Sequence, residues 1–174
     1  MKTPYRFQLA ALAALALGAS LMPASLAAAA AVADSAAGDF AGTYLASLPT
    51  RAEILQLHAD GTASITLSDE VTAGAGGFTF SDSFGSWKVA GPRRLTARFL
   101  NLNFDVTQPA ATFSGTAVVD YVYQFSANLR TIATSCRGRI FPPGQDPFDP
   151  RSTPAVEFDC SYLNGHPYQR MPLD

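Results

Sequence analysis

From Phe40 onward, runs of Val, Ile, Leu, Phe, Tyr and Thr alternate with clusters of Gly, Pro, Asp and Asn. No window keeps apolar residues at helical spacing over three turns. A chain patterned this way satisfies its backbone between strands, so an all-β fold is expected. The sharpest local signal is Ala59-Asp60-Gly61, a three-residue hairpin loop with glycine where a left-handed residue is wanted. That turn sets Leu57 opposite Ala63 and Leu55 opposite Ile65, making one face apolar. Gln56, His58, Thr62, Ser64 and Thr66 share the wet face.

Other strands are expected at 41–48, 52–58, 84–90, 95–106, 113–126, 130–141 and 155–163. Residues 69–83 read as a loop over a barrel mouth and 142–154 as a proline-punctuated loop, while the tail after Asn164 carries no assignment. About eight strands joined mostly by tight turns predict a single antiparallel up-and-down barrel, with a two-sheet β-sandwich as the alternative. In strand 113–126, Ala117, Val119, Tyr121, Tyr123 and Phe125 form one buried face, and Asp120 and Gln124 face water. Strand 95–106 changes phase, because Leu95, Ala97 and Phe99 alternate with one parity and Leu100, Leu102 and Phe104 with the other. A β-bulge near Phe99 is expected to keep both sets inward. Without it, Asn101, Asn103 and Asp105 would continue the inner face and make it polar.

The first residues carry a basic start (Lys2, Arg6), an apolar run from Leu9 to Met22 and a small-residue tract after Pro23. This order predicts a secretory signal over 1–33, with small residues allowing cleavage after Ala27 or Ala33, and one barrel domain over 34–174. The run is too short to span a bilayer, and no cysteine precedes Cys136 to carry a lipid. A secreted or periplasmic product is expected, with no membrane contact after cleavage. It keeps ten basic residues against fourteen acidic ones, a net of −4, with Lys88 as its one lysine. Such a balance argues against nucleic acid as a partner, since phosphate backbones demand clustered Lys and Arg.

Cys136 and Cys160 are assigned to one disulfide, because export favours oxidation and two cysteines allow one connectivity. Setting them opposite each other pairs Ile140 with Val156, Gly138 with Phe158 and Thr134 with Tyr162. On that register Val156, Phe158 and Tyr162 face inward, and Phe158 lies across Gly138.

Gly42-Thr43-Tyr44, His58-Ala59-Asp60-Gly61-Thr62, Gly85-Ser86-Trp87-Lys88 with Gly91, and the stretch from Phe99 to Phe104-Asp105 together carry a resemblance. Over residues 40–106 the chain resembles small exported bacterial proteins with a lipocalin-like, or calycin-like, barrel. At a coarser level it is similar to allene oxide cyclase-like barrels, some of which cyclise hydrophobic substrates. The resemblance implies a small antiparallel barrel around a core or a small ligand cavity.

His58 and His166, the two histidines, lack metal-binding spacing, so no metal site and no cofactor are expected. No Gly-x-Ser-x-Gly elbow is present. Arg98, Arg137 and Arg139 are expected to point outward. Tyr121 and Tyr123 are inward phenols that need hydrogen-bond partners, or else offer donors to a ligand. The leading functional expectation is a barrel binding a small hydrophobic molecule through Tyr121, Tyr123, Phe125 and Trp87, with Asn101 and Asn103 as polar contacts. A cofactor-free isomerase or cyclase on the same barrel is the alternative, and a filled barrel acting on another protein through its surface is the third reading.

Overall fold

The Ala59-Asp60-Gly61 turn forms as its chemistry requires: Gly61 has φ +85°, and Asp60 Oδ1 accepts from the Thr62 amide at 2.9 Å and the Thr62 hydroxyl at 2.7 Å. It joins β2 (Ala52–Leu57) to β3 (Thr62–Leu67) with Leu55 opposite Ile65 and Leu57 opposite Ala63, the expected register. The computed structural model describes residues 38–70, 77–107 and 110–172. The expected signal segment 1–33 lies outside the described residues.

The remaining strands are β1 (Gly42–Ser47), β4 (Phe78–Phe80), β5 (Ser83–Gly91), β6 (Arg94–Asp105), β7 (Thr112–Phe125), β8 (Thr131–Phe141), β9 (Val156–Asp159) and β10 (Tyr168–Arg170). All pairings are antiparallel, and the sheet closes through β1-β2-β3-β5-β6-β7-β8-β10 into an eight-stranded barrel. The barrel, not the sandwich, is therefore the fold. Closure comes from the tail: β10 sets Tyr44 opposite Arg170 on β1 and Tyr168 opposite Ile132 on β8. The expected last strand, 155–163, is shortened to β9, a strip paired to β8 alone. Part of the expected 69–83 loop is also a strand, β4, which pairs with the end of β6.

On β7 the inner face is as expected: Tyr121 is 7% and Tyr123 0% exposed, while Gln124 is open to solvent and Asp120 is half-buried on the outer face. The bulge expected near Phe99 is not there. β5 and β6 pair without interruption from Leu95 to Leu100, so Asn101 and Asn103 continue the inner face, and the irregularity falls later, between Asn103 and Phe104 on the β7 side. Leu100 and Leu102 consequently face out, in line with Phe84, which is 65% exposed. The apolar residues that break the alternation form an outer stripe and not a second inner set.

The β8–β9 register is as derived, with Ile140 opposite Val156 and Gly138 opposite Phe158. The Phe158 ring covers Gly138 so closely that a Cβ there would lie 2.0 Å from the ring. Two parts of the expectation fail. Thr134 does not pair with Tyr162, because the chain leaves the sheet after Asp159 and turns through a 3-10 segment at Ser161–Leu163. Val156 and Phe158 are exposed, because the barrel closes through β10 and leaves β9 outside the closed ring.

Candidate functional site

Period-two alternation along β2 places Leu57, Leu55 and Glu53 on one face, so the register that buries two leucines also buries a carboxylate. Glu53, opposite Ala46 and Leu67, is 0% exposed. Tyr168, brought in by β10, donates its hydroxyl to Glu53 Oε2 at 2.6 Å. Glu53 Oε1, the Tyr123 hydroxyl and the Thr134 hydroxyl, all buried, have no hydrogen-bond partner among the described residues. Thr134 is opposite Tyr123 and shares its inner face.

Tyrosines surround this acid. Tyr121 and Tyr123 stack at 5.3 Å, Tyr123 meets Tyr168 edge-on at 6.4 Å, and Phe99 packs edge-on against Tyr121 at 5.4 Å. Burial pushes all four phenols, Tyr121, Tyr123, Tyr162 and Tyr168, well above the usual tyrosine range; the neighbouring Glu53 carboxylate pushes all four the same way, and other phenols add to this at Tyr123, Tyr162 and Tyr168. At neutral pH these side chains hold their protons and act as donors, so none is available as a tyrosinate base.

One side of the cluster is capped by Ser161–Leu163. Leu163 and Cys160 are buried there, and the Cys136–Cys160 disulfide, with Cα atoms 5.3 Å apart, ties the cap to the β8 wall. Arg51 lies 3.6 Å from the centre of the Tyr162 ring and pairs with Asp69 at 2.9 Å. Its charge lowers the Tyr121 and Tyr162 phenols without offsetting their burial.

The structure brings Tyr121 and Tyr123 together with Glu53 but places the other sequence candidates elsewhere. Trp87 is buried where β5 meets the β2–β3 turn, its indole donating to the His58 and Thr62 carbonyls at 3.0 Å. Phe125 packs on Phe40 and Tyr44. Asn101 donates to Ser83 at 3.2 Å, and Asn103 to Asn101 at 3.4 Å, forming a separate polar patch of the inner face. Glu53, Thr134, Tyr162 and Tyr168 were not candidates. Glu53 was legible, since the alternation already applied to Leu55 and Leu57 reaches it two residues earlier.

The arginines point outward as expected. Arg98 and Arg139 hold the two oxygens of Asp120 at 2.6 and 3.1 Å, and Arg137 pairs with Glu157 at 2.8 Å. They border an outer groove of about 490 Å³ with Phe141, Pro147, Phe148 and Pro150. His58 is an exposed turn residue.

No family model, no curated protein and no solved structure matches this chain. What defines it is the closed antiparallel barrel and the carboxylate–tyrosine cluster inside it.

Proposed function

We propose that the protein is an exported, calycin-like barrel that binds one small, largely apolar molecule against its aromatic inner wall. The observation that carries this reading is the set of buried oxygens without partners on the inner face: Glu53 Oε1, Tyr123 Oη and Thr134 Oγ1. Buried polar groups are almost always paired, so each exception calls for a partner from outside the chain, a bound molecule or a water. The wall beside them supplies apolar area from Tyr121, Tyr123 and Phe99. The disulfide supports an oxidising, extracytoplasmic location.

A second reading, action on another protein through the outer surface, is favoured by the exposed stripe of Phe84, Leu102 and Phe113. One experiment separates the two. Thermal unfolding is followed against a panel of small apolar molecules, nucleic acid and polyanions, for the protein and for Phe84→Ser/Phe113→Ser. Binding inside the barrel raises the Tm with concentration, by an amount equivalent to about 2.7 kcal/mol at a hundred times Kd, and the outer substitutions leave that increment unchanged. Loss of the increment in the double variant, or stabilisation by polyanions alone, overturns the interior reading.

A further inference from the structure

The net charge of −4 over residues 34–174 is unevenly placed. The meander β5–β8, residues 83–141, holds seven basic residues against two acidic ones, a net of +5, while the remainder from residue 34 holds three against twelve, a net of −9. Alternate residues of a strand share a face of the sheet. Lys88, Arg98, Arg137 and Arg139 therefore all stand on the outer side of this half of the barrel, on the face opposite Tyr121 and Tyr123.

These residues line a trough and not a flat wall. The outer groove of about 490 Å³ beside the 142–154 loop meets a second depression of about 520 Å³ over β5–β7, and Arg98 and Asp120 line both. Lys88 lies at one end of the joined trough and Arg137 and Arg139 at the other, three strand spacings away, a span of about 14 Å. The cations are under-used. Among the described residues, Arg98 and Arg139 each give one hydrogen bond to Asp120 and Arg137 gives one to Glu157, out of five N–H donors on each guanidinium. No carboxylate among the described residues lies within 4.0 Å of the Lys88 ammonium. The wall at the arginine end is apolar and pre-formed: Pro147, Pro150 and Pro154 restrict the loop, the Phe148 amide donates to Asp146 Oδ1 at 2.9 Å, and the Phe148 ring, 58% exposed, borders the groove.

The charge pattern selects among anionic partners. Asp120 stands between Arg98 and Arg137 in one cross-strand row, so a polymer with a charge on every unit, such as nucleic acid, sets a phosphate against a carboxylate where it needs clustered cations. A bilayer surface is flat and does not follow a concave trough. An extended peptide whose carboxylates are separated by neutral or apolar residues fits both the pattern and the shape, and about four residues at ~3.3 Å each span the trough. We propose that this trough is the docking site for an acidic, aromatic-containing segment of another protein, its carboxylates on Lys88, Arg98, Arg137 and Arg139 and its aromatic side chain against Phe148. The site lies outside the barrel wall and is independent of any ligand bound within.

The test uses a capped hexapeptide, Glu-Ser-Glu-Phe-Glu-Ser, and the same peptide with glutamine for every glutamate, titrated calorimetrically into the whole exported protein at neutral pH and low salt. Hexathymidylate and phosphatidylglycerol vesicles serve as the nucleic-acid and membrane probes. The glutamate peptide is expected to bind at least about tenfold more tightly than the glutamine peptide, the margin that several exposed charge contacts supply together, and to weaken as salt is added. Lys88→Gln/Arg137→Gln is expected to weaken it about three- to tenfold. Both side chains are exposed, so the fold is retained. Arg130→Gln removes the same kind of charge from the exposed turn before β8, outside the trough, and is expected to leave the affinity within about twofold. Equal binding of the two peptides, or equal loss in the Arg130 variant and the double variant, overturns the site. Tighter binding of hexathymidylate or of the vesicles than of the glutamate peptide overturns the choice of partner.

Discussion

Two buried tyrosine hydroxyls illustrate how much depends on the acceptor. Tyr44 donates to the Phe40 carbonyl at 2.7 Å, a bond between neutral groups, whereas Tyr168 donates to the Glu53 carboxylate at 2.6 Å. Both rings are fully buried, so replacement by phenylalanine removes little packing and isolates the hydrogen bond. Tyr44→Phe is expected to lower stability by about 1 kcal/mol, the net value of an ordinary intramolecular bond. Tyr168→Phe leaves Glu53, which has no directly paired cation, with one donor fewer, and the expected loss is about 1.5–3 kcal/mol. Urea denaturation of the two variants gives the comparison directly. Equal losses would mean that Glu53 is better compensated than its surroundings indicate.

Among the elements, the legible ones are those where two independent signals agree. At β2–β3 the Asp60-Gly61 turn and the alternation of Leu55 and Leu57 demand the same register, and that register forms. On β6 only one signal was present, and it misled: Leu100 and Leu102 suggested a bulge back to the core, but the strand runs straight and they face outward. β4 and β10 span three residues each, too few to show any period, so neither was visible, and Tyr168 of the site went unseen with β10. The cap at Ser161–Leu163 was hidden for a related reason. Pairing Cys136 with Cys160 correctly located the crosslink, but a disulfide fixes two points and not the path beyond them, and the chain leaves the sheet directly after β9. The crosslink spans a sequence separation of 24, for which chain-entropy arguments give about 3 kcal/mol. Cys136→Ala/Cys160→Ala is therefore expected to fold with stability reduced by about that amount in denaturant titrations. Because the bridge also holds the cap on the cluster, Tyr162 should become more accessible to tyrosine-modifying reagents in that variant while Tyr123 stays protected. Unchanged Tyr162 reactivity would show that the cap is held by packing alone.

For the molecule as a whole, the decisive element is the last one. Seven of the barrel strands lie in one continuous up-and-down order from β1 to β8, and β10 then fills the seam between the two ends of that sheet. Without it, β1 and β8 would present unpaired backbone edges, the feature barrels exist to remove. The seam is also where the site is completed, since β10 supplies the Tyr168 hydroxyl to Glu53 on β2, and its Arg170 reaches back to the Ala41 carbonyl at 2.6 Å and the Asp39 carbonyl at 3.1 Å. Closure, N-terminal anchoring and the environment of the buried acid are thus one structural event. Ending the chain after Pro167 is expected to cause more than the loss of a short strand: the open barrel should self-associate through its exposed edges, eluting as oligomers in size-exclusion chromatography. Adding a synthetic peptide spanning 166–174 should restore the monomer, by strand addition into the seam. The same peptide with phenylalanine at the position of Tyr168 should restore the monomer less effectively, because it fills the seam but leaves Glu53 without its phenol. A truncated chain that stays monomeric without peptide would show that the barrel closes directly between β1 and β8, and that β10 serves the site more than the fold.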